Sequence, residues 1–154
     1  KIVDDERDKT KQEDLVDSKH SLEGKHVLLV EDNELNAEFA KIILEDFGLH
    51  VDLARDGFQC VDKVIEKPIG TYDFILMDIQ MPIMNGYEAT VKIRLFDQNI
   101  PIIAMTANAF SEDIQHSLSV GMDAHISKPV DMQVLKSVVQ NIKSGGGGHP
   151  KRIL

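Results

Sequence analysis

Five side chains capable of chemistry follow short apolar runs in this sequence. Glu31 and Asp32 come directly after HVLLV, and Asp78 ends the run FILMD. Thr106 follows IPIIAM, and Lys128 follows AHIS. If these runs are parallel strands of one sheet, their carboxyl ends meet at one edge, which is where such sheets bind ligands. Neighbouring strands would then bring the carboxylates of Asp32 and Asp78 close together.

The residue types in this group favour metal-assisted phosphoryl chemistry. Three acids at one edge repel one another unless a cation lies among them. Hard oxygen ligands without a nearby His or Cys favour Mg²⁺ over zinc or copper, and Mn²⁺ can substitute for it. An aspartate between a divalent cation and Lys128 can attack phosphorus, because developing charge is neutralised on both sides.

The apolar runs that carry these residues alternate with helical patterns. We predict strands at His26–Glu31, Leu49–Leu53, Phe74–Asp78, Ile100–Met105 and Ala124–Ser127. The first, third and fourth are apolar without alternation, as expected for strands that are covered on both faces. The predicted fold class is therefore α/β, a doubly wound five-stranded parallel sheet with helices on both faces.

A helical pattern follows each predicted strand. The first helix is expected to end at Gly48 and to pack on the sheet through one apolar face, formed by Leu35, Phe39, Ile42 and Ile43. The last three helices are predicted at Asn85–Phe96, Ser111–Val120 and Met132–Ile142.

The 154 residues divide into one predicted domain and two polar ends. Residues 1–24 are rich in charge and poor in large apolar groups, so we interpret them as a solvated linker, disordered or partly helical. Residues 144–154 contain four consecutive glycines and are predicted to form a flexible tail. The folded domain is expected to span residues 25–143.

Composition excludes several classes of function. The 17 Lys and Arg against 26 Asp and Glu give a net charge of −9, and an acidic surface repels nucleic acid. No apolar run approaches the roughly 20 residues that span a bilayer, so we expect no membrane contact by this chain. Cys60 is the single cysteine, which excludes an internal disulfide and favours a cytoplasmic location.

Over roughly residues 25–143 the sequence resembles the receiver domains of two-component response regulators. The matching motifs are VLLVEDNELN (Val27–Asn36), YDFILMDIQMPIMNGYEA (Tyr72–Ala89), PIIAMTANA (Pro101–Ala109) and GMDAHISKPV (Gly121–Val130). The sequences of these motifs are most similar to those of the receiver domains of hybrid sensor histidine kinases. The resemblance implies a flavodoxin-like sheet with strand order 2-1-3-4-5.

The resemblance also implies a role for each acid. Asp78 matches the phosphoacceptor, which takes a phosphoryl group from a partner's phosphohistidine. Asp32 matches the direct Mg²⁺ ligand, and Glu31 matches the acid that acts on the metal through water. The backbone carbonyl of Gln80 matches the third protein ligand.

The remaining matched positions are those of a switch. Thr106 matches the hydroxyl that moves onto a phosphoryl oxygen, and Lys128 matches the cation that pairs with the phosphoryl group. The Lys128–Pro129 bond matches one that is cis in the family. His125 departs from the family, which often has Tyr or Phe there. Because His125 can be protonated, mild pH sensitivity is expected.

The expected function is a phosphoacceptor signalling switch, not a conventional enzyme, that supports its own Mg²⁺-dependent phosphorylation and dephosphorylation. Its expected partner is a histidine kinase or a histidine phosphotransfer domain. Association into a homodimer is kept as an alternative. The expected setting is cytoplasmic, including the cytoplasmic part of a membrane-anchored sensor kinase.

Three other functions compete with this one. A flavin carrier is disfavoured because EDNELN after the first strand is acidic and would repel the cofactor's phosphate. An aspartate-nucleophile phosphatase commonly has a second aspartate two residues after the nucleophile, where this chain has Gln80. A receiver-like module that binds partners without being phosphorylated is disfavoured because every reacting position is intact.

Overall fold

The computed structural model describes residues 22–81, 83–107 and 113–144. Strands and helices alternate along them in the order β1 (His26–Val30), α1 (Glu34–Asp46), β2 (His50–Ala54), α2 (Gly57–Glu66), β3 (Phe74–Asp78), α3 (Gly86–Phe96), β4 (Ile102–Thr106), α4 (Asp113–Val120), β5 (Ala124–Ser127) and α5 (Met132–Ser144). None of the described helices is long and apolar enough to cross a membrane.

The five strands form one parallel sheet in the order β2-β1-β3-β4-β5, which confirms the predicted fold class and strand order. Every residue of β3 is buried, and so are the last four residues of β1. Burial on both faces explains why these strands lack apolar alternation.

Two hydrophobic clusters cover the two faces of this sheet. On one face, α2 and α3 pack on the strands through residues such as Val64 and Ile93. On the other face, α1 and α5 pack through residues such as Leu44 and Leu135. The helices therefore leave the carboxyl edge of the sheet to the loops that follow β1, β3 and β5.

Short polar side chains begin the helices close to this edge. Asn33 caps α1 by accepting from the backbone N–H of Asn36. Asn85 and Glu88 form a reciprocal capping box at the start of α3. These caps satisfy backbone donors that the first helical turn leaves unpaired.

The predicted inner face of α1 is wrong for three of its four residues, and only Ile43 packs against the core as predicted. Leu35, Phe39 and Ile42 are 79%, 57% and 61% exposed. The buried residues of the helix are instead Ala37, Ala40 and Leu44. Small alanine side chains let α1 lie close to the sheet, so the larger apolar residues face solvent.

The last residues of the predicted linker belong to the packed structure. Leu22 is buried in the cluster on the α1 and α5 face, and its carbonyl accepts from the N–H of Lys25. The N–H of Gly24 donates to the carbonyl of Gly48 at 2.8 Å. Residues 1–21 of the linker, all of the tail after residue 144, and Ser111 at the predicted start of α4 lie outside the described residues.

Candidate functional site

The structure brings the three predicted acids together at the carboxyl edge of the sheet. Glu31 and Asp32 follow β1, and Asp78 ends the neighbouring strand β3. One carboxylate oxygen from each lies within 4.8 Å of the others. Glu31 and Asp78 are buried, at 2% and 5% exposure, whereas Asp32 is half-buried. The group is therefore a compact cluster of oxygen ligands that opens to solvent on the side of Asp32.

Lys128, in the loop after β5, bridges two of these acids. Its Nζ lies 2.9 Å from Oδ2 of Asp78 and 3.0 Å from Oε1 of Glu31. The backbone N–H of Lys128 donates to the carbonyl of Thr106, which fixes this loop against the end of β4. The Lys128–Pro129 peptide bond is cis.

The electrostatics of the cluster are unbalanced toward negative charge. Burial raises the pKa of Glu31, the hydrogen bond from Lys128 opposes this shift, and the charge of Asp78 adds to it. Burial by itself would lower the pKa of Lys128, but the hydrogen bonds to Asp78 and Glu31 outweigh it and leave that pKa raised. Lys128 is therefore a stable cation, and it is outnumbered by three carboxyl groups.

The two oxygens of Asp78 have different surroundings. Oδ2 accepts from Lys128, whereas Oδ1 accepts from the backbone N–H of Gln80 at 3.2 Å. Gly86 packs against the same segment, and a Cβ placed there would meet the carbonyl oxygen of Asp78 at 2.7 Å. Only glycine lets α3 begin this close to Asp78.

The predicted switch residues lie on the next two strands. Thr106 ends β4 and follows Met105, the register partner of Asp78. His125 lies on β5 opposite Ala104 and is half-buried. Thr106 therefore lies beside the end of β3, whereas His125 lies one strand further away, and the movement of both residues stays a prediction.

Two features of the site's surroundings were not found from the sequence. A cavity of about 270 Å³ lies beside the cluster, and Glu31 and Lys128 line it together with Phe39 of α1. Arg55, directly after β2, is exposed and places Nη2 3.5 Å from the carbonyl oxygen of Asp32. The rule that led to Glu31 and Asp78, polar residues at strand ends, also applies to Arg55.

A buried aspartate, an acidic pair and a lysine meet at the carboxyl edge of a parallel α/β sheet, the edge at which such sheets bind ligands. Residues 27–140 match the family of the response regulator receiver domain. The chain therefore belongs to the response regulator receiver domain family.

Curated relatives place this domain within much longer signalling proteins. Hybrid signal transduction histidine kinase I of Dictyostelium discoideum is 41% identical over 119 residues, which covers 73% of this chain and 7% of the relative. Probable histidine kinase 2 of Oryza sativa subsp. japonica is 38% identical over 139 residues, which covers 80% of this chain and 13% of the relative. The chain thus spans a small part of these relatives, and the similarity to receivers of hybrid histidine kinases is confirmed.

Solved receiver domains share the fold. The receiver domain of sensor histidine kinase PA1611 from Pseudomonas aeruginosa PAO1 was solved with a magnesium ion in its active-site cleft. It is 38% identical to this chain with a TM-score of 0.69, and the match covers 77% of this chain and 96% of the PA1611 domain. The receiver domain of histidine kinase CKI1 from Arabidopsis thaliana, complexed with Mg²⁺ and BeF₃⁻, is 30% identical to this chain with a TM-score of 0.74. The match covers 83% of this chain and 95% of the CKI1 domain.

Proposed function

We propose that this chain is a phosphoacceptor switch of a two-component phosphorelay, in which Asp78 accepts a phosphoryl group from a partner's phosphohistidine with the help of Mg²⁺. The observation that carries the proposal is the Lys128 bridge between Asp78 and Glu31 within a cluster of three carboxylates. A structural ion pair would need one carboxylate, and this arrangement leaves excess negative charge beside a nucleophile.

The residues present fit Mg²⁺. The cluster offers only oxygen ligands, which Mg²⁺ prefers. Asp32 and Asp78 would bind the ion directly, Glu31 would act through water, and the carbonyl of Gln80 would complete the protein ligands. When bound, the ion supplies neutralisation of the charge on the phosphoryl oxygens. The magnesium in the PA1611 and CKI1 receiver domains supports this assignment.

The protein's own residues position and neutralise the reacting groups. A carboxylate oxygen of Asp78 forms the new bond to phosphorus, and the phosphorus–nitrogen bond of the phosphohistidine breaks, leaving the electron pair on the imidazole. Lys128 already contacts Asp78 and pairs with the charge of the phosphoryl group. The reaction depends on positioning and charge more than on acid–base catalysis, so the domain is a switch rather than a conventional enzyme.

The response to phosphorylation falls on the neighbouring strands. The hydroxyl of Thr106, one residue past the register partner of Asp78, would donate to a phosphoryl oxygen. His125, two residues before Ser127 in β5, would follow that movement. The phosphoryl group thereby changes the face that carries β4, β5 and α4.

The partner is inferred from the surface beside the site. Leu35, Phe39 and Ile42 expose an apolar face of α1, and Phe39 also lines the cavity next to Lys128. An apolar surface that borders a phosphoacceptor suits a helix carrying a phosphohistidine, as a histidine kinase or phosphotransfer domain would present. The proposed parent is a hybrid histidine kinase whose receiver domain lies in the cytoplasm, including a kinase anchored in a membrane, and formation of a homodimer is left as an alternative.

Phosphorylation from a small donor tests this function. The protein is incubated with Mg²⁺ and acetyl phosphate, and its intact mass is measured beside Asp78→Asn and the exposed control Asp46→Asn. The expected result is one phosphoryl adduct that requires Mg²⁺, is absent in Asp78→Asn and persists in Asp46→Asn. An adduct in Asp78→Asn would contradict the assignment of Asp78 as the phosphoacceptor. If the wild type binds Mg²⁺ but forms no adduct, the result would favour a module that only binds partners.

A further inference from the structure

Two histidines form a pair at the opposite, amino edge of the sheet. His26 begins β1 and His50 begins β2, and the two are register partners in neighbouring parallel strands. Their rings are stacked, with centroids 4.8 Å apart and planes inclined by 22°. Both residues are exposed. Nothing in the phosphoacceptor mechanism uses this pair.

The backbone fixes the positions from which both rings extend. The N–H of His50 donates to the carbonyl of Lys25 at 2.8 Å. His26 exchanges two hydrogen bonds with Asp73, since its N–H donates to Oδ2 at 2.8 Å and its carbonyl accepts from the N–H of Asp73 at 2.7 Å. The two side chains therefore start from a rigid base, while their exposed rings can still rotate.

This arrangement suits a metal ion that prefers nitrogen. Zinc–imidazole bonds of about 2.0–2.1 Å place two ligand nitrogens roughly 3.4 Å apart, so a modest rotation of the stacked rings would bring both onto one ion. Asp52 lies on the same face of β2 as His50, two residues further on, and its Oδ2 already accepts from the hydroxyl of Tyr72. At the carboxyl edge of the sheet, by contrast, the described residues Glu31, Asp32 and Asp78 already hold their ligand atoms close together. The histidine pair would thus supply two imidazole ligands, and water would occupy the remaining positions on the ion.

We propose that His26 and His50 bind a borderline divalent transition-metal ion such as Zn²⁺ or Ni²⁺. Imidazole nitrogens favour these ions, whereas carboxylate oxygens at the other edge favour Mg²⁺. The sites lie at opposite ends of β1, about 16 Å apart for five residues of strand. A bound ion would join the edge strand β2 to β1 and stabilise the folded protein by linkage.

Titration with Ni²⁺ alone tests the site in the full chain. Binding is measured by calorimetry for the wild type, His26→Gln, His50→Gln, the control His116→Gln on α4, and Asp32→Asn at the acidic cluster. We expect each variant of the pair to weaken Ni²⁺ binding by about tenfold or more, because one imidazole cannot chelate. His116→Gln should keep wild-type affinity, and Asp32→Asn should leave the binding that depends on His26 and His50 unchanged.

A second measurement locates the ion independently of affinity. Paramagnetic Ni²⁺ should broaden the NMR signals of His26 and His50 before those of Asp32 or Asp78, and it should raise the melting temperature of the wild type but of neither glutamine variant. Unchanged Ni²⁺ affinity in both His26→Gln and His50→Gln would overturn the proposal. Loss of binding in Asp32→Asn alone would assign the ion to the acidic cluster and overturn it as well.

Discussion

The ammonium of Lys128 lies 2.9 Å from the carboxylate of Asp78, although 50 residues separate the two in the chain. The contact exists because β3 and β5 both end at the carboxyl edge of one parallel sheet, with β4 between them. The same ammonium contacts Glu31 at 3.0 Å, so a single cation serves two buried acids. Replacing it should affect metal binding and phosphoryl transfer in opposite directions.

Lys128→Met is expected to tighten Mg²⁺ binding and to slow phosphorylation of Asp78. Removing a positive charge near the cluster strengthens cation binding by about tenfold, or about 1.4 kcal/mol, whereas loss of the cation that faces the phosphoryl group slows transfer. Calorimetric titration with Mg²⁺ and the rate of adduct formation from acetyl phosphate measure the two effects. Weaker Mg²⁺ binding in Lys128→Met would contradict the electrostatic account of the cluster. Lys136→Met on α5 is the matched control.

Gly86→Ala is expected to impair the site through the backbone. The new Cβ would meet the carbonyl oxygen of Asp78 at 2.7 Å and the Cα of Ile79 at 3.0 Å, so the start of α3 must shift. We expect a loss of about 1–3 kcal/mol in stability, seen in urea unfolding, together with slower phosphorylation. Gly70→Ala is the control, since Gly70 has a positive φ of 95° but no atom within 4 Å of its added Cβ. It should lose stability and keep the rate of phosphorylation.

Much of the site could be predicted because its residues directly follow apolar runs. Strands buried on both faces leave a clear signal in β1 and β3, and Glu31 and Asp78 stand where those signals stop. A parallel sheet then brings strand ends together whatever the loops do. The order of strands needed the family resemblance, because an alternating pattern does not state which strands are neighbours.

The orientation of α1 could not be predicted from its apolar spacing. The helix carries both a face of large apolar residues and a face with Ala37, Ala40 and Leu44, and the second one packs. Which face is buried depends on how closely the sheet approaches, a property of the assembled fold. The exposed face that results leads to the next prediction.

Phe39→Ser is expected to slow phosphoryl transfer from a protein donor without slowing phosphoryl transfer from a small-molecule donor. Phe39 is 57% exposed, so its replacement should change stability little. Phosphorylation by acetyl phosphate should be unchanged, whereas transfer from a phosphorylated histidine phosphotransfer domain that is active on the wild type should slow by about tenfold or more. Phe58→Ser on α2, which is 50% exposed, is the control. Equal transfer to both variants would place the docking surface elsewhere.

Ile83→Asn is expected to stabilise the protein. Ile83 has a φ of 70°, a left-handed conformation that is unfavourable for a β-branched residue and more accessible to asparagine. Its side chain is 79% exposed, so little packing is lost. The expected gain is about 1 kcal/mol in the free energy of unfolding. The exposed Ile69, outside the left-handed region, gives the control Ile69→Asn, and an equal gain there would argue against relief of strain.

Cys60 is expected to be inert in the folded protein and reactive only after unfolding. Burial, with the nearby charge of Asp56 adding to it, raises the pKa of the thiol to about 12. Because the thiolate is the reactive form, a thiol at pH 8 is almost entirely protonated as well as inaccessible. Labelling with a thiol-specific disulfide reagent at pH 8 should be at least about a hundredfold slower than in urea-unfolded protein. Rapid labelling under native conditions would mean that α2 opens from the sheet far more often than its buried face implies.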